Sequence, residues 1–444
     1  MLVSALALSG CVSLAPKYER PVAPVAAAWP LPAPAAKAAP ALAWQRYFAG
    51  DPRLLALIDI GLKNNRDLRA AAFNAEQAGA LARVADANRW PALNAAFISS
   101  RYPGGAGTPS SYVAGLQVNA YELDLFGKLK SNDDAATARY LASVEGQRAA
   151  HVTLVAGIVA ADLALRADEE SLVIARDTLA GRENSLKLMQ RKFDLGAASG
   201  LDLRSAESAA ASARVALAQA TRQREQDGNA LVLLLGQGVP TDLPPAHSLD
   251  GLTLAAVPAG LPSEVLVARP DVRQAEQQLI AANANIGAAR AAYFPSIALT
   301  ASAGTASSAL SDLFKHSAWS FVTQAVMPIF DWGRTSANVA SAKAAAGVAQ
   351  AQYEKSIQSA FREVADALAG QATLADQLQA QCQQEAAERA RYQLVELRFN
   401  NGASSALEQL DAQRSLFAAQ QALVQTRLAQ ALNQVQLYKA LGGG

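Results

Sequence analysis

The sequence predicts a mostly α-helical chain with transmembrane β-strands, built as two tandem structural repeats, three copies of which would close a twelve-stranded β-barrel. Three observations predict it. The turn sequence Lys192–Ser205 (KFDLGAASGLDLRS) recurs as Arg398–Asp411 (RFNNGASSALEQLD), with Gly196 mapping onto Gly402 at an offset of 206. No proline lies between Pro109 and Pro240 or after Pro328, so long runs rich in Ala, Leu and Gln flank both turns. Ahead of each long run, short segments alternate apolar and polar residues with a period of two.

The repeat extends well beyond the turn. Asp67 and Pro91 pair with Asp271 and Pro295 at an offset of 204, while Gly127 pairs with Gly333 and Leu235-Gly236 with Leu441-Gly442 at 206. Two residues inserted between Pro295 and Gly333 account for the change of offset. A period this long marks a duplicated unit rather than a short-repeat solenoid. The expected organisation is residues 1–10 as a signal segment, 11–52 as a Pro/Ala-rich tether, 53–236 as the first repeat, 237–264 as a connector and 265–444 as the second repeat.

Taken in order, residues 1–10 are apolar and run into Leu8-Ser9-Gly10-Cys11, which resembles a bacterial lipoprotein signal peptide with its cleavage box. A covalent lipid on Cys11 is therefore expected. The positively charged region that opens such peptides is missing, so the translation start is expected upstream. Val12 is not the aspartate that would retain a lipoprotein in an inner membrane, and by resemblance the destination is the outer membrane. Seven prolines between Pro16 and Pro40 favour extended backbone, read as a tether. Trp44, Tyr47 and Phe48 mark where the chain docks, and helical periodicity begins at Leu54.

In each repeat a helix (about 65–89, then 270–293) ends at Trp90-Pro91 or Phe294-Pro295, since proline disfavours helix in the residue before it. Strand segments follow near 93–101 and 112–121, then 296–303 and 318–328, joined by loops at 103–111 and 303–312. Tyr112, Ala114, Leu116, Val118 and Ala120 form one apolar face against Val113, Gly115, Gln117, Asn119 and Tyr121. Four strands cannot close a barrel, and open edges are not tolerated in lipid. Eight strands leave an interior filled by side chains, and twelve leave a passage, so a cyclic trimer is the smallest assembly with a pore.

Long helices are expected over about 129–192 and 335–398, each approaching ~100 Å at about 1.5 Å per residue. Leu165, Leu172, Leu179, Leu186 and Phe193 recur every seven residues, the spacing of a coiled-coil seam. A looser stripe runs through Leu374, Leu378, Cys382, Ala386, Tyr392, Val395 and Phe399. Gly196 and Gly402 supply the left-handed residues that end these helices. Ser199-x-x-Asp202 and Ser405-x-x-Glu408 read as capping boxes that start the returning helices.

The net charge of +1 and 17% charged residues exclude the basic stripe of a nucleic-acid binder. No stretch reaches the roughly 18 apolar residues of a membrane-spanning helix, so any crossing is expected through strands. His151, His247 and His316 lack ligand spacing, and three methionines give no soft-metal path. Cys382 reads as a small core residue. No nucleophile–base constellation or phosphate loop is present, and neither an enzyme nor a cofactor beyond the lipid is expected.

Gly260–Glu276 (GLPSEVLVARPDVRQAE), Ile286–Ile297 (IGAARAAYFPSI), Glu122–Gly127 (ELDLFG), Pro328–Arg334 (PIFDWGR) and both turns resemble the TolC-like outer-membrane channel lipoproteins of tripartite efflux pumps, of the NodT/OprM type. The match spans nearly the whole chain, with its motifs in family order. It implies a homotrimer with a long periplasmic α-helical barrel below the strands. It also implies export of small molecules delivered by an inner-membrane transporter through a periplasmic adaptor, without catalysis. The family closes its pore at the periplasmic tip with acidic rings, and onto that motif fall Glu408, Asp411 and Asp202. First-turn acids also complement the helix dipole, so capping accounts for Asp202 and Glu408 as well. Asp411 lies beyond the cap on the face of Glu408, with only Ser205 as its counterpart. Phe399 and Ser404 replace a tyrosine and an arginine that tie the gate in some relatives. A type I secretion channel and a structural envelope lipoprotein are the alternative readings.

Overall fold

A computed structural model describes residues 13–30, 43–101, 110–251 and 263–443. The signal segment, Cys11, most of the first strand loop and part of the connector lie outside the described residues. The chain forms two compact units, one from Met1–Pro24, Ala71–Gln147 and Asp271–Ser356, the other from Val25–Ala70, Arg148–Pro270 and Ile357–Gly444.

The elements follow the duplicated plan. After a short helix α1 (Trp44–Tyr47), the first repeat runs α2 (Pro52–Asn64), α3 (Arg66–Ala87), β1 (Leu93–Arg101), β2 (Ser110–Leu123), α4 (Lys128–Asp194) and α5 (Gly200–Leu235). The second runs α6 (Pro270–Ala291), β3 (Ser296–Ser307), β4 (Ser317–Val326), α7 (Arg334–Asn400) and α8 (Ala406–Ala440). Both long helices have 67 residues, close to the expected spans. Strand β3 continues to Ser307, so the loop expected from 303 is shorter than the Gly/Ser pattern suggested.

In the first unit the four strands form one antiparallel sheet in the order β1-β2-β3-β4. Val118 pairs with Ala301, but Tyr121 pairs with Leu299, and the register shifts between them. Ala120 adopts a positive φ of 46° in this bulge, and its amide donates to Thr300 Oγ1 at 3.1 Å. The extra residue reverses the expected assignment: Tyr121, not Ala120, shares the apolar face with Leu299. Strict alternation cannot register a bulge, because one inserted residue exchanges the two faces of everything beyond it.

The amino-terminal segment is also corrected. Residues 14–20 are not a free tether but lie along α6. Arg290 Nη1 donates to the Leu14 carbonyl (3.0 Å), Asn283 Nδ2 donates to that of Pro16 (2.7 Å), and Gly287 leaves room for the Ala15 backbone. Tyr18 and Arg20 both donate to the buried carboxylate of Glu276, at 3.1 and 2.7 Å. A proline-rich segment has spare carbonyls, and α6 presents donors to them at helical spacing.

The second unit is built around one apolar core. Asp51 caps α2 by accepting from the amides of Arg53 and Leu54, and Leu54, Leu57 and Ile58 then turn inward against Val155, Ile158, Val159, Leu163, Leu231 and Leu235. Tyr47 stacks on Tyr438 at 4.9 Å and donates to the Gln434 carbonyl, which docks α1 as expected. Among the described residues one helix, Lys128–Asp194, is long and apolar enough to cross a membrane, against the expectation that none would be. Part of this helix, including Val155, Ile158, Val159 and Leu163, is buried in this core. The leucine repeat of α4 is half of a seam: Leu172 is buried and Phe193 exposed, while the companion positions Ala175, Arg182 and Met189 are buried. A seam needs two positions per heptad, and the companion one carries Ala175, Arg182 and Met189, which a leucine count passes over. Cys382, expected in the core, is exposed.

Candidate functional site: the hairpin tips

Each turn ends its helix by the same backbone geometry. Gly196 (φ 71°) and Gly402 (φ 74°) are left-handed. The amides of Gly196 and Ala197 donate to the carbonyls of Phe193 and Lys192 at 2.9 and 2.7 Å, and those of Gly402 and Ala403 to Phe399 and Arg398 at 3.0 and 2.8 Å. This is the paired bonding that closes a helix on a left-handed glycine. Both returning helices open with complete capping boxes. Ser199 accepts from the Asp202 amide at 3.1 Å and Asp202 accepts from that of Ser199; Ser405 and Glu408 repeat this at 3.2 Å in each direction. The Ser404 hydroxyl also donates to Glu408. That hydroxyl and the Ser405 amide hold the Glu408 carboxyl below its usual range.

The two tips share a small core. Met189, Leu203 and Ala206 of the first hairpin bury Phe399 of the second, with Leu186, Ala198 and Ala406 packed around them. Lys192 Nζ sits 4.4 Å from the centre of the Phe399 ring. The duplication is thus unequal in use, since Phe399 is buried and its counterpart Phe193 is 42% exposed.

Asp411 differs most from its expectation. Arg414 donates to one of its oxygens at 2.7 Å, and Arg391 approaches the other at 3.3 and 3.4 Å. Arg414 also lies close enough to buried Arg182 to help burial hold that guanidinium's pKa down. The corresponding positions of the first hairpin are Ser185, Ser205 and Ser208. The Arg391–Asp411–Arg414 cluster therefore has no counterpart at the matching positions of the first hairpin, whose cross-helix ion pair is Glu183–Arg214 instead. Sequence reading missed Arg391, although the signal was present. In an antiparallel hairpin, residues equally far from the turn face each other, and 391 and 411 lie equally far from Asn401. Arg398 donates to the Ala403 carbonyl of its own turn at 3.0 Å.

A sheet of four strands with one apolar face, followed in each repeat by a proline-free helical hairpin, defines a strand-inserted channel protein of the TolC-like class. The outer membrane efflux protein family model matches residues 57–237 and again 261–443, so the duplication is a property of the family. The toluene efflux pump outer membrane protein TtgF of Pseudomonas putida is 45% identical over 460 residues, covering 99% of this chain and 95% of that protein. The cation efflux system protein CusC of Escherichia coli O6:H1 is 41% identical over 451 residues, covering 99% and 97%. The crystal structure of the open state of the Neisseria gonorrhoeae MtrE outer membrane channel superposes with a TM-score of 0.86 at 40% identity, covering 98% of each chain. The chain belongs to the outer membrane efflux protein family. It is the outer-membrane channel component of an efflux pump.

Proposed function

We propose that three copies of this chain close a twelve-stranded barrel on a periplasmic helical barrel, forming the exit duct of a tripartite, RND-type pump for small toxic compounds. In this reading an inner-membrane transporter delivers cargo and a periplasmic adaptor opens the hairpin tips. The observation that carries it is the sheet itself. Its apolar face needs lipid, while β1 and β4 are edges whose backbone groups need partners there. Further copies of the same sheet supply those partners. Relatives named for toluene and cation efflux favour small cargo over secreted protein.

The tips are the proposed constriction. Asp411 is its hinge-point: the ion pair with Arg391 ties α8 to α7, Arg414 supports Asp411 from its own helix, and opening exchanges the cross-helix pair for solvent. Glu408 and Asp202 cap their helices and add carboxylates at the two turns. In planar bilayers, Glu408→Ala/Asp411→Ala channels are expected to open several-fold more often than wild type. Equal opening in both would remove the gate assignment and leave the channel. The pH dependence has a definite sign. A carboxyl held below its usual range keeps its capping contribution above the unfolded value of about 4.3 and loses it only as pH falls through the lowered folded value. The Glu408 cap is therefore expected to hold through mild acidification and loosen only in strong acid.

Cys11 is proposed to carry the lipid, with more than one acyl chain, since a single chain binds membranes only reversibly. Intact-mass measurement should show the acyl increment on mature protein beginning at Cys11, and its absence from Cys11→Ser. An unmodified wild-type terminus would refute the anchor.

A further inference from the structure

Helices α4 and α5 run back along each other from the first turn, so residues nearly equally far from it face each other. Glu183 and Arg214 do so as an ion pair at 2.9 Å. Asp168 and Asp227 hold such positions farther from the turn, yet both are acids. The Asp227 carboxyl lies within hydrogen-bonding reach of Asp168. Asp168 Oδ2 is buried and accepts from no donor among the described residues. Gln223 Nε2 donates to Asp227 Oδ2 at 3.1 Å from within α5. Two carboxylates in such contact repel each other when both are ionised, whereas a proton between them turns the repulsion into a hydrogen bond.

The surrounding charges offer no other remedy. Among the described residues, the charges that act on Asp168 are those of Asp227 and Glu169, both negative. Arg224 of α5 is taken by Glu225 at 2.7 Å and Glu169 at 3.6 Å. Arg427 of α8 stands between Glu170 at 2.8 Å and Asp250 at 2.7 Å. Burial, and after it the bond and charge of Asp227, pushes the Asp168 carboxyl up to about 7. The matching positions of the second hairpin are Leu374 and Asn433, and Asn433 donates to the Ala367 carbonyl at 2.9 Å. The duplicated backbone therefore does not require acids here, and the carboxyl pair belongs to the first hairpin.

We infer that Asp168 and Asp227 form a proton-binding site that clasps α5 to α4: one proton held between the carboxyls makes the bond, and its loss sets two like charges against each other. The site is complete within one chain and does not depend on the proposed pore. Its sign follows from linkage. The closed hairpin holds a proton that the opened one, with an ordinary aspartate near 3.9, releases. The clasp therefore contributes fully below about pH 4, weakens as pH rises toward about 7 and has nothing further to lose above it. The Glu408 cap has the opposite sign, so the tip of the second hairpin loosens in acid and the first hairpin loosens as acid is withdrawn.

The test is peptide-resolved hydrogen exchange of the purified full-length protein in detergent, read over residues 161–175 and 220–234 and corrected for the intrinsic pH dependence of exchange. Between about pH 5 and about pH 7 the wild-type opening constant should rise several-fold per pH unit, with about tenfold as the ceiling for one released proton. Above about pH 8 it should be flat. Asp168→Asn keeps a donor toward Asp227 and carries no charge. Its opening should not depend on pH and, above about pH 7, should be several-fold rarer than in wild type. Infrared difference spectra between about pH 6 and about pH 9 should show a protonated carboxyl in wild type and lose that band in Asp168→Asn. If Asp168→Asn does not fold, Asp227→Asn gives the same decision, because its amide donates to Asp168 and removes the need for the proton. A pH slope that either folded variant shares with wild type, or a wild type without the carboxyl band, overturns the inference. Protection that follows added magnesium and ignores pH would also overturn it, since a cation would then bridge the pair.

Discussion

Gly304→Val is expected to abolish assembly of the protein in the membrane. Gly304 pairs directly with Gly115 across β2 and β3. A Cβ on Gly304 would collide with the Ala114 carbonyl oxygen and lie 2.6 Å from Gly115 Cα, and one on Gly115 would lie 2.7 Å from Gly304 Cα. These obstacles are backbone, not the ends of flexible side chains, so the strands must part to admit the methyls. Overpacking a tight site in this way costs about 1–3 kcal/mol. Parting the ladder in lipid adds several kcal/mol for each backbone group left without a partner. The readout is outer-membrane yield and the heat-resistant oligomer on a denaturing gel, both expected to be lost. Ala303→Val, one residue away on the lipid-facing side, should assemble normally. A Gly304→Val protein that assembles and conducts like wild type would show that the two strands do not approach this closely.

Arg166→Ala should be the most damaging single change in the second unit. The Arg166 side chain is 5% exposed and the carboxylates of Asp51 and Asp162 only 1%. Its Nη1 donates to Asp51 at 2.7 Å and to the His247 carbonyl at 3.1 Å, and its Nε donates to Asp162 at 2.7 Å. Arg53 shares Asp162 at 3.2 Å and reaches the Pro244 carbonyl. The pair of arginines thus fastens the described start of the connector to α2 and α4. Removing one partner of a buried pair typically costs about 3–5 kcal/mol, chiefly because the other charge stays buried and unpaired. Urea titration in detergent should show a clear loss of midpoint for Arg166→Ala, with part of it recovered in Arg166→Ala/Asp51→Asn. The exposed pair Lys63–Asp59, whose side chains are 68% and 54% accessible, serves as the control. Lys63→Ala should change stability by less than about 1 kcal/mol. Equal effects at the two sites would mean that the Arg166 cluster is solvated.

What could be read from residues alone is local in the chain. The duplicated units follow from identities at offsets of 204 and then 206, and the long helices from the lack of proline. The turns follow from Gly196 and Gly402, and the capping boxes from Ser199/Asp202 and Ser405/Glu408, each pair three residues apart. Every one of these features is decided within a few residues of itself, where backbone sterics and short hydrogen bonds dominate. Strand alternation was legible for the same reason as far as Val118.

The tertiary structure decided whatever depends on partners distant in sequence. The bulge at Ala120 is set by where β3 lies, 180 residues on in the Ala120–Thr300 bond, and it exchanged the faces of Ala120 and Tyr121. Glu276 is buried because Tyr18 and Arg20, more than 250 residues earlier, donate to it. Phe399 is buried where Phe193 is exposed, because the hairpins pack unequally against each other. A periodic pattern states which residues share a face. Only the packed chain determines what that face meets, because a contact between distant segments depends on register, and register depends on every bulge, turn and neighbour between them.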